Sequence, residues 1–440
     1  MTKRLHPGNF WHARADHTGG LNKYAIVAFG LLIRVIALAR VGGGFLYYEN
    51  TAYDRMALQL LHGVSFAPYW PPGVPYYLMA FHSVFGEGLL VARASMLLMY
   101  VAFSFALHAL VQELWSRRAA DVTVLVFALY PSYVRWSFNP STEFPAAACL
   151  VVVVWLAILA VRRESLALAA VLGLVLGIFA LVRGSSLGLV ALTPLFVWLR
   201  TRRVTLAVVP VLIAAAPISA WLWKAHEMTG RFVPINDSNA ENFFQSNNAY
   251  TPLYNTCIGG PIPWKPPARY TQLAQEIECQ PPEQRQQSWR ALAMEHIRSR
   301  PDLFLLRTFN RFRAFFCFPI HRGEPITGAT LRGWLGLGIT AAELCFYWPI
   351  MAAAIIVCFS RRLDAGVMAL VLAAVFVYAA PCFLTCSQPR YNFPIVPLFA
   401  ALAAGFIERP SMPRRNVAMW LVLAFFAYIQ IEWIVLVATS

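Results

Sequence analysis

The chain has 440 residues, of which 59% are hydrophobic and 13% charged, with a formal net charge of +15. Soluble globular chains carry about 25% charged residues, so this composition excludes an ordinary soluble domain. The basic excess raises nucleic-acid binding as a question, and the placement of the charges along the chain answers it in the negative, as shown below.

A span of the roughly 30 Å hydrocarbon layer needs about 20 apolar residues and must be helical, because lipid offers backbone groups no hydrogen-bonding partner. About eleven segments qualify: 24–41, 89–112, 119–136, 142–161, 165–182, 185–200, 204–222, 334–359, 365–381, 389–406 and 416–437. With the N-terminus cytoplasmic, Lys3, Arg4, Arg14, Lys23, Arg117, Arg118, Arg162, Arg163, Arg200, Arg202, Arg203, Arg361, Arg362, Arg409, Arg414 and Arg415 all fall inside. The short outer segments hold only isolated arginines: Arg40, Arg55, Arg93, Arg135, Arg183 and Arg390. This is the positive-inside distribution, so basic charge sets topology rather than recognising nucleic acid. Val74–Phe85 is apolar but too short to span, and counting it would place Arg117 and Arg118 outside; it is read as an interfacial or re-entrant helix.

The expected organisation is a cytoplasmic tail (1–23), a block of about seven membrane helices (24–222) with an outer loop at 42–88, an outer insert (223–333) and a block of about four helices (334–440). The first span lacks a signal-peptidase site and is read as a retained anchor. In the insert, prolines between 252 and 282 predict loop, and 286–318 reads as helix whose second half carries basic and aromatic residues on different faces, suited to a membrane surface. Cys257 and Cys279 share this insert, and an oxidising exterior would allow them to pair.

In the first outer loop, Glu49 stands just beyond span one, followed by Asn50, Tyr53 and Asp54 in helical register and the rigid Trp70-Pro71-Pro72-Gly73 turn. Glu49 reads equally as a helix-start acid or as a functional carboxylate. Asp54 and Arg55 read as a solvated face. Glu143 opens span four in Asn139-Pro140-Ser141-Thr142-Glu143, where an acid is favoured by the helix dipole in any case. Arg93, Arg183 and Arg390 stand at outer helix ends, where arginines either snorkel to headgroups or hold phosphate through paired charge-assisted bonds. Arg34 lies near the middle of span one, with Glu343 in span eight the obvious deep counter-charge, and both are read as structural. The histidines lack the i, i+4 spacing of a helical metal site, so no metal ligands are assigned, and a divalent ion is left open.

Glu49-Asn50-x-x-Tyr53-x-x-x-Ala57-x-x-Leu60-x-x-Gly63 followed by Trp70-Pro71-Pro72-Gly73-x-Pro75 resembles the first outer loop of bacterial membrane glycosyltransferases of the GT-C superfamily, those similar to protein O-mannosyltransferases and the lipid A aminoarabinose transferase. Thr142-Glu143, Gly177-x-x-x-Leu181-x-Arg183, Gly230-Arg231-Phe232-Val233-Pro234, Glu241-Asn242-Phe243-Phe244-x-x-Asn247-Asn248 and Arg390-Tyr391-x-x-Pro394-x-x-Pro397 resemble later motifs in the same order. One departure is Glu49-Asn50, where the family commonly has Asp-Glu or Asp-Ser, which alters the carboxylate's reach and removes an acidic pair. The resemblance implies an all-α polytopic membrane protein of GT-C type, sited in a bacterial inner membrane with its active site on the extracytoplasmic side. It implies transfer of a sugar, with inversion, from a polyprenyl-phosphate donor to a lipid, glycan or protein acceptor. Glu49 would then be the base, Glu143 would orient the acceptor or assist the base, and Arg390, Arg183 and Arg93 would hold phosphate. Asn50, Tyr53, Asp54, Asn248 and Tyr391 would contact substrate. A flippase for lipid-linked sugar, or another polytopic transporter, is the alternative; such proteins place sites at mid-membrane, often within inverted repeats, and no repeat is visible here.

Overall fold

The computed structural model describes residues 21–41, 48–64, 68–254, 265–320, 334–360, 362–413 and 415–439. Among them every regular element is helical. The N-terminal block begins with α1 (Lys23–Val41), α2 (Tyr48–Leu61), α3 (Gly73–Phe85) and α4 (Leu89–Leu114). It continues with α5 (Arg117–Leu129), α6 (Pro131–Trp136), α7 (Glu143–Arg163), α8 (Leu166–Val182), α9 (Leu187–Thr201) and α10 (Val204–Thr229). The insert holds α11 (Asn239–Ser246), α12 (Ala268–Glu278), α13 (Pro282–Ser299) and α14 (Pro301–Phe315). The last block is α15 (Trp334–Phe359), α16 (Ala365–Leu384), α17 (Val396–Glu408) and α18 (Val417–Thr439), with 3₁₀ turns at Gly184–Ser186 and Pro389–Ile395.

All eleven apolar segments lie on helices. Among the described residues, seven helices are long and apolar enough to cross a membrane: α4, α7, α10, α15, α16, the continuous Pro389–Glu408 stretch ending in α17, and α18. α7 is the hub, packing on α4, α8, α9, α16, α17 and the Pro389–Ile395 turn. Its apolar window is 72% buried, against 22% for α10 and 28% for α18, so those two present broad faces outward.

The predicted segment 119–136 is broken at Tyr130-Pro131, and this break explains the two buried mid-span charges. Pro131 has no N–H, so the Phe127 carbonyl loses its i+4 donor. Arg34, fully buried on α1, supplies it: Nη2 donates to Phe127 O at 3.0 Å and Nη1 to Ala128 O at 3.1 Å. Its Nε donates to Ser137 Oγ at 2.7 Å, and the guanidinium stacks on Tyr100 at 3.5 Å. Ser132 N–H, orphaned at the start of α6, donates to Glu343 Oε2 at 3.1 Å, and Ser132 Oγ donates to Oε1 at 2.7 Å. Arg34 and Glu343 are therefore structural, each closing one side of the same helix break.

Two ends of the bundle are distinct. At one, Arg162 pairs with Glu113, Arg200 with Asp364 at 3.1 Å and Arg203 with Glu164 at 2.5 Å, while Ser116 reaches Glu408. These are the helix ends whose charges the positive-inside reading groups together. At the other end sits the insert. Its α11, α12 and α13 share a small core around Phe244, Tyr270 and Trp289, separate from the main one.

Three expectations about the insert need correction. Residues 250–285 contain α12, because their prolines lie on either side of 268–280 and none lies within it. The stretch 286–318 is two helices, because Pro301 cannot continue α13 and holds Arg300 away from helical geometry (φ −137°, ψ 63°). The basic face of α14 is turned inward: Arg307 donates to Asn248 O at 2.9 Å, and Arg311 to Phe383 O and Leu384 O at 3.2 Å, closing the C-terminus of α16. Leu305, Leu306 and Phe309 face outward instead. Cys279 is a free thiol and Cys386 is disulfide-bonded, so a Cys257–Cys279 bridge is excluded; Cys257 itself lies outside the described residues.

Candidate functional site

Glu143, Arg183, Arg390 and Tyr391 come together from three distant parts of the chain at the end of the bundle that carries the insert. Glu143 is the first residue of α7 and is 3% exposed. The turn before it is fixed from both sides. Asn139 Nδ2 donates to Arg135 O at 2.7 Å, and Tyr133 stacks on Phe393 at 3.9 Å while donating its hydroxyl to the Phe393 carbonyl. That contact ties α6, which leads into the turn before α7, to the turn bearing Arg390. Asn392 anchors the same turn by donating to Phe315 O at 2.7 Å and Cys317 O at 2.8 Å.

Arg183 follows α8, where its N–H still donates to Phe179 O at 2.9 Å. Gly73 packs against the backbone of Leu181 and Val182, with a Cβ there meeting Val182 N at 2.6 Å, so only glycine lets the Trp70–Gly73 turn approach the segment leading to Arg183.

Arg390 Nε lies 4.0 Å from Glu143 Oε1, an electrostatic contact longer than a hydrogen bond. Arg183 Nη1 donates to Thr142 Oγ1 at 3.5 Å. Its guanidinium lies 5.5 Å from the Tyr378 ring and 5.2 Å from the Tyr391 ring, and Arg390 lies 5.3 Å from Tyr391. Tyr391 thus places a π-face beside both cations, a favourable arrangement where water is scarce. The two guanidiniums and the Glu143 carboxylate leave one net positive charge among these side chains. Such a site is suited to an anion.

Arg93 is buried at the start of α4. Glu113 at the end of α4 pairs with Arg162 at the end of α7, so the two helices run parallel and Arg93 lies at the same end as Glu143. Glu49 and Asn50 fall in the first turn of α2, and their side chains lie outside the described residues.

The remaining sequence candidates do other work. Asp54 is not a solvated face: its Oδ1 lies 2.9 Å from Nε2 of the buried His82, joining α2 to α3. Tyr53 is 4% exposed, with its ring 6.0 Å from Trp70. Asn248 is consumed by its own turn. Nδ2 donates to Phe244 O and Gln245 O, and Oδ1 accepts from Tyr250 N and Thr251 N. Tyr378 and Cys382, one helical turn apart on α16, face Arg183 and were not singled out from the sequence, because neither differs in pattern from an ordinary apolar span residue. No group of three or more His, Cys, Asp and Glu side chains suited to a metal ion occurs among the described residues.

The sequence family described as dolichyl-phosphate-mannose-protein mannosyltransferase matches residues 70–222. No curated protein sequence matches the chain. Among solved structures, the apo oligosaccharyltransferase of Archaeoglobus fulgidus is similar over 94% of this chain and 55% of its own, at 15% identity and a TM-score of 0.51. The same archaeal enzyme tethered to an acceptor peptide containing the NVT sequon gives 14% identity and a TM-score of 0.50, with the same coverage. ArnT from Cupriavidus metallidurans bound to undecaprenyl phosphate covers 88% of this chain and 78% of its own, at 12% identity and a TM-score of 0.42. The chain spans about half the length of the archaeal structures it matches. The fold over most of the chain is thus similar to that of these membrane transferases, and the sequence match to the mannosyltransferase family covers residues 70–222.

Proposed function

We propose that the chain is an integral-membrane glycosyltransferase. It moves a sugar from a polyprenyl-phosphate donor to an extracytoplasmic acceptor, with inversion, at the boundary between bilayer and water. The observation that carries this reading is the convergence of Arg183 and Arg390 on Glu143 at one end of the bundle. The matched family's description names a dolichyl-phosphate-linked sugar, which is the same donor chemistry.

The donor's lipid tail lies in the bilayer and its phosphate reaches Arg183 and Arg390. Glu49, on the helix beside the first span, takes the proton from the acceptor hydroxyl; a carboxylate of ordinary pKa about 4.3 is ionised at neutral pH. The acceptor oxygen attacks the anomeric carbon as the bond to the phosphate oxygen breaks, which inverts that centre. The departing phosphate gains negative charge during this step, and the guanidiniums stabilise that charge where it develops. Glu143 contributes by orienting Arg390 and Arg183, a positioning role rather than contact with the acceptor. The positive-inside distribution of Lys and Arg supports an extracytoplasmic position for this end of the bundle, in what we read as a bacterial inner membrane.

The test is donor analysis together with one variant. Membranes of a deletion strain should accumulate the lipid-linked sugar, and Glu49→Gln should abolish transfer while the protein still folds and binds donor. Wild-type turnover by Glu49→Gln would remove Glu49 from the mechanism. Translocation of a lipid-linked sugar by the purified protein without transfer would favour the transporter reading.

A further inference from the structure

Tyr378 is fully buried on α16, and its hydroxyl has no hydrogen-bonding partner. Ser141, fully buried in the turn before Glu143, has an equally unpartnered Oγ. Buried polar atoms without partners are rare and costly, so two beside one site call for a physical reason.

Both flank Arg183. The Tyr378 ring lies 5.5 Å from its guanidinium, and the phenol is within electrostatic reach of Arg183, Glu143 and Tyr391. Ser141 adjoins Thr142, whose hydroxyl accepts from Arg183 at 3.5 Å. The two hydroxyls belong to different elements, α16 and the turn before α7, and both are fully buried.

We infer that the Tyr378 and Ser141 hydroxyls are phosphate-binding donors, completing with Arg183 and Arg390 the cradle for the phosphate group of the lipid donor. This rests on the transferase reading above and extends it. Guanidiniums alone bring charge. Two fixed hydroxyl donors add direction, so the phosphate is held in one orientation relative to the attacking oxygen. The arrangement also predicts a trade-off. A hydroxyl waiting for a ligand weakens the free protein and strengthens the complex.

The experiment uses the purified full-length chain in lipid nanodiscs, with a short polyprenyl phosphate and inorganic phosphate as probes. Tyr378→Phe removes only the oxygen and keeps the ring against Arg183. It should bind the polyprenyl phosphate about 10- to 100-fold more weakly than wild type. Its Tm without ligand should equal or exceed that of wild type. Ser141→Ala should behave in the same direction, and it decides the matter if Tyr378→Phe does not fold. Unchanged affinity in variants of a wild type that does bind would overturn the inference and leave the transferase reading standing. So would a Tm that falls without ligand while affinity holds, because the hydroxyl would then serve the fold. Weakened transfer with unchanged phosphate affinity would also overturn it, because the hydroxyl would then serve the sugar. If wild type binds inorganic phosphate but not the lipid, and the variants lose that binding, the hydroxyl assignment holds and the lipid-donor reading fails.

Discussion

Replacing Arg34 by Met should destabilise the folded protein by about 3 kcal/mol. The substitution keeps the apolar length of the side chain and deletes every donor. Four bonds disappear: to Gly30 O, Phe127 O, Ala128 O and Ser137 Oγ. Three of these leave α1, and at the average of about 0.6 kcal/mol measured for interhelical bonds in a membrane protein they account for about 1.8 kcal/mol. Gly30 O keeps its own helical bond, so the heavier consequence falls on Phe127 and Ala128. Their carbonyls lie at a helix end beside Pro131 and would be left unpaired, at about 1–3 kcal/mol each. The orphaned carbonyls dominate and set the loss near 3 kcal/mol, about a 150-fold shift in the folding equilibrium. Reversible unfolding of the purified protein in mixed micelles, titrated with a denaturing detergent, measures it. Arg34→Met/Pro131→Ala gives the decisive comparison, because alanine restores the N–H that Phe127 O lacks and should recover about 1 kcal/mol. If Arg34→Met stays within about 0.5 kcal/mol of wild type, the reasoning about the helix break is wrong.

Glu241 in the insert accepts from Tyr69 Oη and Gln245 Nε2, both at 2.9 Å, and burial holds its carboxyl above the ordinary carboxylate range. A raised folded-state pKa means that the stability tied to this proton is present below the unfolded value of about 4.3 and is lost as pH rises through the folded one. Glu241→Gln should therefore flatten the fall of Tm between about pH 4.3 and neutrality, and an unchanged slope would show that Glu241 is not the titrating group. Cys279 is a free, exposed thiol in the insert. A membrane-impermeant maleimide should label it in spheroplasts without prior reduction, whereas labelling only after lysis would reverse the proposed orientation.

Much of the bundle is legible in the sequence because a lipid-spanning helix is specified locally. Length, apolarity and helix-end charge suffice, and every expected apolar segment is helical. Local breaks are not legible: Pro131 and Pro301 divide stretches that the sequence reading takes as continuous. Partnership is harder. Arg34 and Glu343 look like a counter-charged pair in the sequence, yet they serve opposite sides of one helix break. Arg307 and Arg311 look like a surface stripe and are instead buried staples for carbonyls that no sequence window brings near them.

The candidate site divides in the same way. Glu143, Arg183, Arg390 and Tyr391 are visible as polar residues at outer helix ends. The place of Asn248 and Asp54 was misread because a side chain satisfied by its own turn or by a neighbouring helix looks the same in sequence as one that awaits substrate. Tyr378 and Ser141 carry no sequence signal, since a tyrosine in a span and a serine before a helix are ordinary.

What the amino-acid order determined by itself is the set of helices and the separation of basic from weakly charged ends. These follow from backbone hydrogen bonding in lipid and from charge at the interface, and both act over a few residues. Only the tertiary structure decided which helix ends meet, which arginines face Glu143 rather than an orphan carbonyl, and which hydroxyls are left without partners. Those outcomes depend on packing between segments up to about 250 residues apart, from Glu143 to Arg390, where no local preference acts.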